Sequence, residues 1–300
     1  MDKDSKDIAF YPKESINCNG KTLDLLTPVA MGIVNTSPDS FYIPETAATT
    51  KPEAFFTEDI LNQVGFMIKE GARIIDVGAY SSRPGAKHIS IEEELKRLLP
   101  AVKSIRGSFP DLILSVDTFR AEVALCAQSE GVDIINDISG GELDNKMFDV
   151  IAKSKMAYVL MHMKGTPQNM QEVPSYSNVF EEVYAYFYQR VQKLEQMGVK
   201  NIILDPGFGF GKTVEHNYIL LNRLAGFQEL GYPVLAGLSR KSMINKVLKT
   251  KPETALNGTS VLNTMALLNG ASILRVHDVK EAVETIKLVE YSRSNKVTVN

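Results

Sequence analysis

Eight times along the chain a short apolar, largely β-branched run ends on a polar residue, passes through a loop and gives way to an amphipathic helical stretch. The runs are 29–35, 73–78, 112–117, 132–136, 157–162, 201–205, 234–238 and 272–276. A run that is apolar on both alternating faces must be buried on both, which is the condition of a parallel sheet covered by helices. Helical patterning fills the intervals 52–70, 91–105, 120–130, 146–154, 179–197, 215–225, 241–269 and 280–291. Gly71, Gly131, Gly198 and Gly270 follow helical stretches where a left-handed cap is expected. Eight such units, spaced at about 20 to 45 residues, fit a closed (β/α)8 TIM barrel better than an open doubly wound sheet. No Gly-x-Gly-x-x-Gly follows the first run, as a dinucleotide-binding sheet would require. A single barrel domain is expected over 8–291, with flexible tails at 1–7 and 292–300. The polar, small-residue stretch 41–50 after the first run reads as a mobile loop.

Composition narrows the partners. A hydrophobic share of 44% with 23% charged residues fills a sizeable core. A formal net charge of -3 gives no basic footprint for nucleic acid or an anionic membrane, so any bound anion must be held by a few local cations. No stretch approaches the roughly 18 apolar residues of a membrane span, and the first seven residues lack the apolar core of a secretion signal. Cys18 and Cys126 stand far apart and outside metal-ligand spacing, so they read as structural, and the cytoplasm is the expected compartment.

In such a barrel the reacting groups sit where strands end and βα loops begin. Those positions hold Asn35, Asp76 followed by Ser81, Ser82 and Arg83, then Asp117, Asn136, His162, Asp205, Ser239 to Lys241, Arg275 and His277. One Asp or Asn at a strand end reads as a turn or cap residue. A ring of carboxylates, carboxamides and cations reads as a polar pocket. Its members fall into two chemical groups. Asp117, Asn136, Asp205 and Lys241 offer acceptors, an amide and one cation, which suit a heterocycle with adjacent N–H donors and a carbonyl. Arg83, Arg275 and His277, with the Asn35 loop, suit a phosphate or diphosphate held at the late strands.

Some members have plainer readings. The glycine-rich run Asp205-Pro-Gly-Phe-Gly-Phe-Gly-Lys212 is also a turn whose Phe residues fill the mouth, and its spacing before Lys212 is not that of a P-loop. His162, between Met161 and Met163, reads as packed rather than metal-bound, since no second His or Cys stands at ligand spacing. Asp76, inside an apolar strand, reads equally as a structural acceptor.

The motifs then meet a known family. Met31-Gly-Ile-Val-Asn-Thr-Ser-Pro-Asp-Ser-Phe41 resembles the first signature of the dihydropteroate synthases, and Ile75-Asp-Val-Gly-Ala-Tyr-Ser-Ser-Arg-Pro-Gly85 the second. Ser115-Val-Asp-Thr118, Ile135-Asn-Asp-Ile-Ser-Gly140, Leu160-Met-His-Met163, Leu204-Asp-Pro-Gly-Phe-Gly-Phe-Gly-Lys212, Gly237-Leu-Ser-Arg-Lys-Ser-Met243 and Arg275-Val-His-Asp278 continue the resemblance in order. It implies a transferase that joins 7,8-dihydropterin-6-ylmethyl diphosphate to p-aminobenzoate in folate biosynthesis, releasing pyrophosphate, with sulfonamides as competitors.

The resemblance also implies roles. Asp117, Asn136, Asp205 and Lys241 would bind the pterin, with Ile138, Met161 and Phe210 packed around it and Arg275 near its face. Asn35, Ser82, Arg83, Arg275 and His277 would hold the diphosphate, with Mg2+ near Asn35. Thr36, Ser37, Phe210, Ser239, Lys241 and Ser242 would seat p-aminobenzoate, whose carboxylate suits the helix start after Lys241. Asn35, Arg83, Lys241, Arg275 and His277 would form the catalytic set, and a homodimer is implied. Ala79-Tyr80 replaces the family's usual Gly-Glu, and no Asp-Gly-Gly follows Phe41. A pterin-dependent methyltransferase of the corrinoid type is the nearest rival, but it has no diphosphate to hold. A catalytically silent pterin-binding paralogue is the rival of another class.

Overall fold

The computed structural model describes residues 13–36, 53–81, 88–167, 169–170 and 174–295. It opens on a hairpin that the run pattern does not announce. β1 (Ser15–Cys18) pairs antiparallel with β2 (Lys21–Asp24). The turn is Asn19-Gly20, both in left-handed backbone with φ of 52° and 93°, the geometry whose twist matches a two-residue hairpin.

The eight expected runs form the barrel: β3 (Val29–Asn35), β4 (Ile74–Gly78), β5 (Ile113–Asp117), β6 (Ile134–Asp137), β7 (Ala157–Met161), β8 (Ile202–Asp205), β9 (Leu235–Ala236) and β10 (Ile273–Val276). All pair in parallel, in the order β8-β7-β6-β5-β4-β3-β10-β9. A parallel bridge from Leu204 to Val234 closes the ring, with the Leu204 N–H donating to Pro233 O at 2.9 Å.

Outside lie α1 (Glu53–Glu70), α2 (Ile91–Ser108), α3 (Ala121–Ser129), α4 (Met147–Lys153), α5 (Val179–Gln196), α6 (Val214–Asn222), α7 (Ser242–Leu248), α8 (Leu256–Leu268) and α9 (Val279–Ser294). Gly71, Gly131, Gly198 and Gly270 all have positive φ, as their positions after helices require. Ser90, Asn178 and Thr213 cap α2, α5 and α6 through side-chain oxygens.

Two expectations need correction. The stretch 241–269 is not one helix: Lys249 turns left-handed at φ 54°, a 3-10 turn over Pro252–Thr254 follows, and α8 starts afresh at Leu256. The C-terminal tail begins later than residue 292, because α9 continues to Ser294. The expected loop 41–50 and tail 1–7 lie outside the described residues.

Strand alternation sorts the side chains into three layers. Those facing outward, such as Val34, Val77, Leu114, Ile135, Leu204 and Leu274, join the helices in one large core. Those facing inward low in the barrel, including Met31, Ile74, Ile113, Ile134, Ile203 and Ile273, pack with Ile16, Cys18 and Leu23 of the hairpin. The hairpin is therefore the plug that keeps the barrel floor dry; each fully buried aliphatic there contributes about 1.5–3 kcal/mol. One step higher the inward positions turn polar.

Candidate active site at the barrel mouth

The polar layer begins with Asp76 on the inner face of β4, in register with Ser115 of β5 and fully buried. A lone ion there would be untenable, and Asp76 is not alone. It accepts hydrogen bonds from Ser115 Oγ at 2.6 Å, Asn136 Nδ2 at 2.9 Å and Arg275 Nε at 2.7 Å. The guanidinium continues to Asp117, with Nη2 donating to Oδ2 at 2.7 Å. Burial alone would lower the Arg275 pKa, but Asp76 and Asp117 outweigh it and the net shift is upward. Asp117 also lies above its ordinary value. Burial pushes it up to about 7 against the pull of Arg275, with Asp76 and Glu94 adding like-charge repulsion.

With its Nδ2 committed to Asp76, the Asn136 amide is fixed in orientation, and its Oδ1 is buried without a hydrogen-bond partner among the described residues. A buried acceptor left unpaired costs about 1–3 kcal/mol, so this atom is one that a ligand donor would satisfy. Across the mouth, Asp205 Oδ1 accepts the Gly207 N–H at 2.8 Å. Burial raises the Asp205 pKa, while the charge of Lys241 opposes the shift. Lys241 donates to Phe208 O and lies 4.9 Å from the centre of the Phe210 ring. Burial lowers its pKa to about 8, with Asp205 holding it up. Asp205 and Lys241 thus feel each other's charge, yet no ion pair within 4.0 Å joins them among the described residues.

An apolar shelf completes this half. Ile138 and Met161 pack with Phe119, Met163 and Met170, and Tyr80 and Phe210 lean on the group. The loop carrying Phe210 is stapled by Lys212, whose buried Nζ donates to the carbonyl oxygens of His162 at 3.2 Å, Gly207 at 2.9 Å and Phe210 at 3.0 Å. It also lies 3.0 Å from His162 Nδ1. Burial and the Lys212 charge push His162 down to about 2, so the ring is neutral. His162 is therefore the packed histidine its neighbours suggested. Gly207 sits so close to the β7 loop that a Cβ on it would lie 2.0 Å from His162 O, at a φ of 67°.

The remaining expected positions divide. Asn35 ends β3, half-buried at the rim and in register with Gly78 of β4. Ser239 Oγ lies 3.0 Å from His277 Nδ1 and accepts the His277 N–H at 3.3 Å, joining the loops after β9 and β10. Ser242 is exposed at the first position of α7. Thr36 is buried, and its hydroxyl donates to Gly78 O at 3.3 Å, tying it to β4. Arg275 stands between Asp76 and Asp117, in ion pairs with both. Ser37, Ser82 and Arg83 lie outside the described residues. Sequence reasoning did not single out Ser115, Phe119, Met163 or Met170. Ser115 within β5, and Phe119 and Met163 just past β5 and β7, keep the period-two alternation of the inward face, whereas Met170 lies in a later turn outside that alternation.

An eight-stranded barrel with an acceptor-rich, apolar-walled mouth has the chemistry to receive the edge of a flat heterocycle. The pterin binding enzyme family model matches residues 31–277. The dihydropteroate synthase of Escherichia coli (strain K12) is 43% identical over 279 residues, covering 92% of this chain and 96% of that protein. That of Haemophilus influenzae is 42% identical, covering 90% and 96%. Among solved structures, the Yersinia pestis dihydropteroate synthase in a sulfonamide drug complex superposes with a TM-score of 0.85 at 37% identity, covering 93% of this chain and 99% of that one. The Xanthomonas albilineans dihydropteroate synthase in complex with 7,8-dihydropteroate gives 0.83 at 33%, covering 94% and 100%. The chain belongs to the dihydropteroate synthases.

Proposed function

We propose that this chain makes 7,8-dihydropteroate from 7,8-dihydropterin-6-ylmethyl diphosphate and p-aminobenzoate, with the pterin held by Asp117, Asn136, Asp205 and Lys241. The unpaired Oδ1 of buried Asn136 carries this reading. Together with the Asp117 and Asp205 carboxylates it offers a row of acceptors to a ring edge rich in N–H donors, while Lys241 offers a donor to the ring carbonyl. Ile138, Met161 and Phe210 form the walls that exclude water from the ring faces.

An aryl amine is neutral at pH 7, so p-aminobenzoate attacks the pterin methylene without a general base. The barrier then lies in departure of the diphosphate. Arg275 and His277, with Ser82 and Arg83 from the second loop, would gather charge that develops on the leaving oxygens. Ser239, Lys241 and Ser242, together with Thr36, Ser37 and Phe210, would seat the amine. Because α7 has only seven residues, what it offers the benzoate carboxylate is first-turn N–H groups and the Ser242 hydroxyl rather than a developed helix dipole.

Mg2+ fits this arrangement in a limited way. No group of three or more His, Cys, Asp or Glu among the described residues could hold a metal. A Mg2+ carried largely by phosphate oxygens and water needs one hard oxygen from the protein, and the Asn35 amide at the rim can supply it. When bound, the ion would neutralise diphosphate charge.

Pyrophosphate release from the two substrates, measured with and without p-aminobenzoate, tests the assignment. Release that depends on the amine supports it. Pterin binding without release would make the chain a silent paralogue, and methyl transfer without release a methyltransferase.

Exposed Val247 and Leu248 of α7, Val261 and Leu268 of α8, and Leu288 and Tyr291 of α9 support a homodimer through this side of the barrel, which sedimentation equilibrium would check. No helix among the described residues is long and apolar enough to cross a membrane, and we place the protein in the cytoplasm.

A further inference from the structure

Arg240 lies between Ser239 and Lys241, and its backbone is left-handed at φ 56°, a conformation that residues with a Cβ disfavour. Its contacts account for why it stays there. The backbone N–H donates to Thr259 Oγ1 at 3.0 Å. Nε and Nη2 fork onto Asp278, at 2.9 Å to Oδ2 and 2.8 Å to Oδ1. Nη1 donates to Pro252 O at 2.7 Å and Glu253 O at 3.0 Å. Every nitrogen of the side chain is engaged and four of its five N–H donors are used within the protein, so the guanidinium is held in place rather than presented to a ligand.

The pairing has a simple pattern. Two successive residues of the loop after β9 meet two successive residues of the loop after β10: Ser239 with His277, and Arg240 with Asp278. Either pair alone would act as a pivot. Together they fix both the distance and the rotation of one loop against the other. Lys241, the next residue, enters the pocket in the direction that Arg240 imposes, and Arg275 and His277 lie on the opposing strand and loop.

We propose that Arg240, paired with Asp278, is a positioning residue: it locks the Ser239–Lys241 segment against the His277 loop and so sets where the amine nucleophile sits relative to the departing diphosphate. This rests on reading Ser239, Lys241 and Ser242 as the amine seat. Arg240 is partly exposed and outside the polar cluster that holds the ring, so its removal acts on the alignment of the two substrates and leaves the pterin edge intact.

The test is a split between three readouts in Arg240→Gly, which removes the guanidinium while accepting the left-handed backbone, and in Asp278→Asn, which keeps the shape and one acceptor. KM for p-aminobenzoate and kcat come from pyrophosphate release; Kd for a dihydropterin lacking the diphosphate comes from calorimetry. In Arg240→Gly the amine KM should rise and kcat fall by about tenfold each, since misalignment of bound reactants is felt in both, with pterin Kd changed by less than about twofold. Asp278→Asn should move the same way by less, and Arg240→Lys, which cannot fork onto a carboxylate, should rescue only in part. Unchanged amine KM and kcat in both Arg240→Gly and Asp278→Asn would overturn the proposal. So would parallel losses in amine KM, kcat and pterin Kd, the sign of general loosening. Ser242→Ala serves as control: a raised amine KM there with none in Arg240→Gly refutes the positioning role alone, whereas unchanged KM in both refutes the amine seat and the proposal with it.

Discussion

At the scale of single residues, the mouth is a chain of charges in which each member is held by the next: Ser115 and Asn136 on Asp76, Asp76 on Arg275, Arg275 on Asp117. Removing one link leaves an uncompensated charge in the barrel. Asp76→Ala should therefore lower stability by roughly 3–5 kcal/mol in urea denaturation and release the Asn136 amide that it holds, weakening pterin binding. A loss below about 1 kcal/mol would show that Asp117 alone suffices for Arg275. The shifted groups set a pH window. Asp117, raised to about 7, accepts paired ring donors more strongly when ionised, so pterin affinity should fall as pH drops through that value. Lys241, lowered to about 8, loses its charge above it. The pH profile of kcat/KM for the pterin substrate should be a bell between these two values, and Asp117→Asn should flatten its acid limb; an acid limb that survives in Asp117→Asn belongs to another group. Asp117, Asn136 and Asp205 were legible as candidates in the sequence because each stands at a strand end, and Lys241 because it lies in the loop between β9 and α7. Asp76 was not, because a buried acid looks the same in sequence whether it serves fold or ligand, and its partner Arg275 is 199 residues away.

At the scale of elements, the eight barrel strands were legible because doubly buried strands leave unbroken apolar runs. The hairpin was not: two four-residue strands buried on one face leave too short an alternation to register, and its signature is confined to Asn19-Gly20. The break inside 241–269 was hidden as well, because apolar residues continue on both sides of it and the turn depends on Lys249 adopting a conformation unusual for its type. The hairpin and the β8 loop make opposite demands on function. Ile16→Ala should cost about 2–4 kcal/mol of stability by opening a cavity at the floor, with both KM values unchanged, since the floor is a full barrel length from the mouth. Lys212→Met, nearly isosteric, should cost roughly 3 kcal/mol by leaving the carbonyls of His162, Gly207 and Phe210 without their shared donor. It should also raise pterin KM, because Phe210 and the Gly207 N–H that orients Asp205 sit on that loop. Urea titration and steady-state kinetics on the two variants should thus separate; a raised KM in Ile16→Ala, or an unchanged one in Lys212→Met, would break the division.

At the scale of the whole molecule, one geometric rule produces fold and site together. Parallel strands alternate their side chains, the outward set meets the helices, and the lower inward set meets the hairpin. The upper inward set has only the mouth to face, so polar residues there remain accessible to a ligand while their lower neighbours keep water from below. That separation lets the pocket hold raised carboxylates and a lowered lysine without the core sharing their cost. Recognition of the pterin edge is the claim on which the rest depends, and titration calorimetry of a dihydropterin lacking the diphosphate, at a pH between the titrations of Asp117 and Lys241, addresses it directly. Wild type should bind, and Asp205→Ala should bind at least about 100-fold more weakly, roughly 2.7 kcal/mol, because the ring's donors would be buried unpaired. Equal affinity in a folded Asp205→Ala protein would place the pterin elsewhere.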